Sequence, residues 1–355
     1  MTESFTTPAL VLDLDAFERN VALMARAIVQ EGGKRWRPHV KAIRAPELVH
    51  RLMAAGAHGV TCSTVNEAAV MVDAGIGDVL VASQVVQASD LERLVDLNRQ
   101  AQVMCAVDAR AHVQALATVA AEHDVRLPVL VEVDVGLQRA GTSPGPDAVT
   151  MAQAVHAQPT LHFMGFVAWE GHVTRLADHA ARPEAIRKAV ALLTHSAELA
   201  REQGLPVEIV SCGGTATFLS TSALPGVTEI QAGGGVFGDL RTREAFGVPM
   251  ACALTLVATV LARPTPTRIV CDAGWKTLPF YPLPPRAPGL SEVLHMAPAA
   301  EHLSLTLAHG TGLPAIGERI VFEPGYADAI TFLHRTMHVT RAGGAAPPVE
   351  IPAAR

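Results

Sequence analysis

Lysine is scarce in this chain of 355 residues, occurring at Lys34, Lys41, Lys188 and Lys276. Only Lys41 follows an apolar-alternating run, in Arg37-Pro38-His39-Val40-Lys41-Ala42-Ile43-Arg44. That position makes it a candidate amine for covalent chemistry with a carbonyl; the plainer alternative is a strand-ending lysine reaching into water. His172, preceded by Gly171, is the candidate general base, because imidazole titrates near working pH. A structural histidine is its alternative, with His162, His179 and His195 nearby. Two glycine runs, Ser211-Cys212-Gly213-Gly214-Thr215 and Gln231-Ala232-Gly233-Gly234-Gly235, could bring backbone N–H groups together on an anion such as phosphate. Arg139, at the end of Asp134-Val135-Gly136-Leu137-Gln138-Arg139, could hydrogen-bond the edge of a bound ring, or form a surface salt bridge.

The elements that must position these residues follow a rhythm. Short β-rich runs around Val40, Val60, Leu80, Met104, Leu130, Phe166, Ile209 and Ile230 alternate with amphipathic stretches of helical period. Pro46 sits near a helix start, Gly56 and Gly75 where helices should stop, and Asp15 and Asp90 at helix openings. Eight strands each followed by a helix match a (β/α)8 barrel, with a doubly wound open sheet as runner-up. The open sheet is weakened because no G-x-G-x-x-G follows the first strand. After about Val248 the runs Leu254 to Leu261, Arg268 to Cys271, His302 to Leu307, Arg319 to Phe322 and Ile330 to Thr340 read as strands without helices between them. The expected organisation is an α/β barrel over residues 15–247, a β-rich domain from 1–14 with 248–345, and a flexible tail at 346–355.

In a barrel the C-terminal strand ends face the active site, and a phosphate commonly sits after the seventh and eighth strands. Both glycine runs fall there, and Lys41 ends the first strand. A phosphate site plus a strand-end lysine points to pyridoxal phosphate, its aldehyde in a Schiff base with Lys41 and its ring an electron sink. Ser211, Gly213, Gly214, Thr215, Gln231, Gly233 and Gly234 are the expected cofactor contacts, with Arg139 beside the ring. A permanently charged arginine there would hold a less protonated ring than an aspartate would.

Composition excludes other classes. The net charge of −6, 17% charged residues and no block of like charge give no reason to expect nucleic acid or an anionic membrane surface as partner. No apolar run reaches bilayer length and no signal peptide is visible, so the cytoplasm is the expected location. The five cysteines, Cys62, Cys105, Cys212, Cys252 and Cys271, are scattered without a C-x-x-C pair and are expected to be buried thiols.

These motifs, with Gly59-Val60-Thr61-Cys62, Thr228-Glu229-Ile230-Gln231-Ala232-Gly233 and Asp272-Ala273-Gly274-Trp275-Lys276, resemble the D-threonine aldolase and D-serine dehydratase family. The likeness runs from about Pro8 to Thr340. It implies fold type III among pyridoxal phosphate enzymes: an alanine-racemase-like barrel and a C-terminal β domain that the chain's N-terminal strand joins, in a head-to-tail homodimer. It also implies Lys41 as the Schiff-base residue, Arg139 beside the ring and His172 near the substrate's β-hydroxyl. The family's divalent metal sits in the β domain on a histidine and, two positions later, a cysteine or aspartate. Here the matching stretch is Pro324-Gly325-Tyr326-Ala327-Asp328: Asp328 keeps one ligand, and Tyr326 stands where the histidine belongs. Glu301, His302 and His309 are candidate replacement ligands.

The reaction implied is retro-aldol cleavage of a β-hydroxy-D-amino acid to glycine and an aldehyde. Its alternatives are a D-serine-type dehydratase giving a 2-oxo acid and ammonia, an amino-acid racemase, and a non-catalytic cofactor carrier. With the metal gone, Tyr326 would itself act as acid or base.

Overall fold

Runs of valine, leucine and isoleucine that are buried on both faces form parallel strands. In the computed structural model, which describes residues 5–290, 292–310, 312–342 and 344–352, eight such strands make one sheet. They are Arg35–Trp36, Val60–Cys62, Asp78–Val81, Gln102–Val107, Leu127–Glu132, Leu161–Val167, Ile209–Cys212 and Glu229–Ile230. From Val60–Cys62 to Glu229–Ile230 each pairs with its sequence neighbour, and Glu229–Ile230 pairs with Arg35–Trp36. Parallel bridges Trp36–Ala57 and His39–Thr61 join the first segment to the second, so the eight curl round as a barrel requires. Leu80, Met104, Leu130, Met164 and Ile209 are among the buried residues packed together within this sheet.

The local signals act largely as their chemistry dictates. Pro46 opens the helix Pro46–Ala54, and Thr64 caps Val65–Asp73 by accepting the Glu67 N–H at 3.1 Å. At the first helix, Leu14–Ala25, the cap is Asp13 rather than Asp15: Asp13 Oδ1 accepts the Ala16 N–H at 2.9 Å, while Asp15 Oδ2 accepts the Ala342 N–H at 2.6 Å.

The β-rich sheet runs Val293–Pro298, Leu303–Leu307, Arg268–Cys271, Leu254–Thr265, Ala9–Asp13, Thr336–Arg341, Gly344–Glu350, with Arg319–Phe322 also on Leu254–Thr265. The N-terminal strand therefore belongs to the C-terminal sheet. Two expectations fail here. Residues 344–350 are a strand paired antiparallel with Thr336–Arg341, not a loose tail, held by Val349 at 2% and Ile351 at 4% exposure. The run Ile330 to Thr340 is split, its start lying in the short helix Ala327–Thr331.

Contacts divide the chain into two compact units. Residues up to Ala22, Ala42–Leu48 and the stretch from Gly234 group with the β-rich sheet; Leu23–Lys41 and Val49–Gly233 form the barrel unit. The first helix joins the β-rich unit because Phe17 packs on Phe237 at 5.7 Å between centroids and Asn20 Nδ2 donates to the Val236 and Ala251 carbonyls. Four of the five cysteines are buried, Cys252 is half-buried, and all are free. Burial pushes the Cys105 and Cys271 thiols up to about 12, which leaves them unreactive. Among the described residues no helix is long and apolar enough to cross a membrane.

Candidate active site

Lys41 lies in a turn just past its strand, exposed, on a segment anchored from below. The Arg37 side chain is fully buried; its NH1 is 2.6 Å from Asp78 Oδ1 and its Nε 2.9 Å from Glu229 Oε2. The Nε approach lacks the alignment of a hydrogen bond and is a charge contact. Glu229 Oε1 accepts the Ser211 hydroxyl at 2.7 Å, and Ser211 Oγ accepts Gln231 Nε2 at 3.0 Å. Ser211 and Gln231 are thus tied into a buried ladder under the site. The Gln231 carbonyl then accepts the His39 N–H at 2.8 Å, and the Val40 N–H donates to Thr61. Two residues before Lys41, the chain is held from both sides.

His39 brings two expected residues together. Burial, with Lys41 and Arg139 adding positive charge nearby, holds its imidazole well below the ordinary value, and therefore neutral. Arg139 NH2 lies 3.5 Å from Glu132 Oε1, whose other oxygen accepts Gln84 Nε2 at 2.5 Å. Burial raises the Glu132 carboxyl pKa despite these partners. Asp134 shapes the loop carrying Arg139, accepting the Gly136 and Gln138 N–H groups at 2.9 and 3.0 Å.

His172 sits in the single-turn helix Gly171–Arg175. Its ring faces Gly136, where an added Cβ would stand 3.0 Å from Cε1 and Nε2. Its Nδ1 is buried without a hydrogen-bond partner, a state that native side chains rarely hold without a reason.

Preceding it, Trp169 packs against both Gly171 and Gly214; a Cβ on Gly214 would meet the indole at 2.5 Å. Glu170, fully buried with its pKa raised by burial, accepts the Thr217 hydroxyl at 2.5 Å and the Gly213 N–H at 3.3 Å. The Gly214 N–H donates to Thr217 Oγ1 at 3.0 Å. Two N–H groups of the expected phosphate loop are therefore spent within the chain, and Thr215 follows them in the turn. The Gly233 N–H, by contrast, takes no partner among the described residues, and Gly233 is pressed so closely on the His39 backbone that no side chain fits.

In the β-rich unit, the Tyr326 hydroxyl donates to Asp328 Oδ2 at 2.8 Å. Asp328 Oδ1 and Ala42, the residue after Lys41 in the chain, flank Gly234, at 3.2 and 3.0 Å from where its Cβ would be. Asp239 accepts the Thr242 and Ala327 N–H groups at 2.7 and 2.6 Å, fixing the start of the helix behind Tyr326. The Arg241 guanidinium lies over the Tyr326 ring at 4.7 Å.

These side chains do not make a divalent-metal donor set. Burial, then the Asp328 charge, raises the Tyr326 phenol, leaving a neutral hydroxyl that is a poor ligand. Among the described residues no three His, Cys, Asp or Glu converge as metal ligands. Glu301 pairs with Lys276 at 2.6 Å and His309 with Glu292 at 3.3 Å instead.

Asp239 and Arg241 were not among the expected site residues; His39, Trp169 and Glu170 lie in the stretches expected to face the site, but no role was expected of them. Glu170 lies two residues before His172 in sequence, but its role depends on Gly213 and Thr217, far along the chain. A signal for Arg241 is absent from its local sequence.

The chain matches the family "Alanine racemase, N-terminal domain" over residues 12–241 and the family "Putative serine dehydratase domain" over 253–340. It is 33% identical to the D-threonine aldolase of Arthrobacter sp. over 341 residues, 95% of this chain and 89% of that protein. The crystal structure of D-threonine aldolase from Filomicrobium marinum superposes with a TM-score of 0.93 at 32% identity, covering 98% of this chain and 95% of that one. D-threo-3-hydroxyaspartate dehydratase from Delftia sp. HT23 superposes with a TM-score of 0.89 at 28% identity, with 98% of each chain covered.

Proposed function

The chain belongs to the D-threonine aldolase and D-serine dehydratase family, pyridoxal phosphate lyases with an alanine-racemase-like barrel, and on that premise we propose that it cleaves β-hydroxy-D-amino acids between Cα and Cβ. The products are glycine and an aldehyde. Support for the cofactor site lies in the barrel unit's packing: glycines at 214 and 233 where no side chain fits, the open Gly233 N–H and the exposed Lys41 amine. Lys41 is the amine that would anchor the cofactor. Gly213, Gly214, Thr215, Gly233 and Gly234 would surround its phosphate, with Ser211 and Gln231 beneath and Arg139 beside the ring.

When bound, pyridoxal phosphate supplies the electron sink that lets a bond to Cα break. His172 removes the proton of the substrate's β-hydroxyl. The freed electron pair becomes the aldehyde C=O as the Cα–Cβ bond breaks, and the pair left at Cα takes a proton to complete glycine. Tyr326 is neutral and bonded to Asp328, and no step is routed through a metal. The observation that carries the reading is the buried, unpartnered Nδ1 of His172: a base held ready and not spent on structure.

The purified chain with pyridoxal phosphate and D-threonine should release glycine and acetaldehyde. His172→Ala should lower kcat by roughly 10²–10⁴-fold and keep the cofactor's visible absorption band. Release of a 2-oxo acid and ammonia would make it a dehydratase, and loss of optical rotation with neither product a racemase. A band that survives Lys41→Ala would overturn the anchoring assignment. The proposal includes a head-to-tail homodimer in the cytoplasm, and sedimentation of the purified chain as a monomer would contradict the dimer.

A further inference from the structure

We propose that Glu170 is a positioning residue through which the phosphate loop sets the place of the base: one short segment grips the turn at 213–217 with its side chains and carries His172 on its backbone. This rests on the lyase reading above, and every residue it uses belongs to the barrel unit.

The strands Leu161–Val167 and Ile209–Cys212 pair in parallel with Val167 beside Ser211, and the Ala168 N–H donates to the Ser211 carbonyl at 3.0 Å. Their chains therefore leave the sheet side by side, one into Trp169-Glu170-Gly171-His172 and the other into the turn. Glu170 is fully buried, and among the described residues no cation pairs with it. A buried acid of this kind is costly, and this one spends both oxygens on the turn. Oε1 accepts the Thr217 hydroxyl at 2.5 Å, and Oε2 accepts the Gly213 N–H at 3.3 Å. A threonine hydroxyl has one proton to give; given to Glu170, it leaves Thr217 Oγ1 to accept the Gly214 N–H at 3.0 Å. Glu170 thereby fixes which way that hydroxyl points and, with it, the shape of the turn. Within the turn the Ala216 N–H takes no partner among the described residues.

The other end of the coupling is the backbone. The Glu170 carbonyl accepts the Val173 N–H at 3.2 Å and opens the single-turn helix Gly171–Arg175 that carries His172. The Thr174 hydroxyl closes that helix on the Gly171 carbonyl at 2.8 Å. Trp169 adds a second tie, its indole lying against both Gly171 and Gly214. A shift of the 213–217 turn is therefore passed to Glu170 and Trp169 together, and from them to a helix one turn long. The imidazole it carries stands against Gly136, where even a methyl would crowd it. Misplacing a reacting group by about 1 Å costs on the order of 10²-fold in rate, so the conformation of the turn governs whether His172 works.

The test compares pyridoxal phosphate with pyridoxal, which lacks the phosphate, in the wild type, Glu170→Ala and Glu170→Gln. Affinities are read from the cofactor's visible band. In Glu170→Ala the preference for the phosphorylated cofactor should fall about tenfold or more. Glu170→Gln keeps an acceptor for the Thr217 hydroxyl and should retain part of it. A variant that is merely less stable loses both cofactors alike, so an unchanged ratio overturns the proposal. The base is read separately, with saturating pyridoxal and D-threonine: added inorganic phosphate should raise the wild-type kcat about tenfold or more and leave that of Glu170→Ala unchanged. No rise in the wild type, or an equal rise in Glu170→Ala, overturns the coupling and leaves the lyase reading standing. A wild type that binds pyridoxal phosphate but releases no glycine from D-threonine overturns the lyase reading and this proposal with it.

Discussion

The Tyr326 hydroxyl donates a 2.8 Å hydrogen bond to Asp328 Oδ2, in the stretch where the resemblance implies a histidine and, two residues later, a cysteine or aspartate. A carboxylate that accepts from a neutral phenol has lost the neighbour it would need to grip a cation. Chelators should therefore leave most of the activity in place. Tyr326→His restores an imidazole at that spacing and should introduce metal binding, read as bound manganese by elemental analysis and as activity that rises on adding the metal. Complete loss of wild-type activity on chelation, reversed by added metal, would contradict the pairing's proposed consequence.

Gly214 and Trp169 make a second test of the site's construction. A methyl at 214 would stand 2.5 Å from the six-membered part of the indole, so the loop or the ring must move. Gly214→Ala should weaken cofactor binding about tenfold or more, a cost on the order of 1.4 kcal/mol, with the far-ultraviolet circular dichroism unchanged. Trp169→Phe removes the atoms in the way, so the double variant should regain part of the lost affinity. An unaltered affinity in Gly214→Ala would mean that this loop does not hold the cofactor.

The barrel was legible because parallel strands buried on both faces read as unbroken apolar runs, as in Val103–Val107. Lys41 stood out through the scarcity of its residue type. The strands Val293–Pro298 and Gly344–Glu350 were not legible, and they lie at the two edges of the β-rich sheet. An edge strand has one paired side, so it tolerates prolines such as Pro347 and Pro348 and need not alternate cleanly. Short-range pattern also cannot show Glu170 meeting Thr217 or Arg241 meeting Tyr326. Those contacts exist only after the chain has brought distant segments together.

The buried Arg37–Glu229 contact beneath Lys41 sets an acid limit on stability. Burial by itself would raise the Glu229 carboxyl pKa, but the Arg37 charge, the His58 ring 3.0 Å from Oε2 and the hydrogen bond from Ser211 outweigh it and pull it from 4.5 to about 2. A depression of that size corresponds to roughly 3 kcal/mol of stability. Because the folded value lies below the unfolded one, this contribution is fully present above about pH 4.5 and is lost as pH falls towards about 2. Glu229→Gln keeps the shape but leaves the Arg37 guanidinium with Asp78 as its remaining acid. It should destabilise the chain by roughly 3–5 kcal/mol at pH 7, as breaking one side of a buried pair does. In urea unfolding at pH 7, 5, 4 and 3, the gap between wild type and variant should be widest at the two higher values and narrow below them. A gap of constant width across that series would show that the ionised Glu229 carboxylate is not what holds Arg37, and with it the segment carrying Lys41, in place.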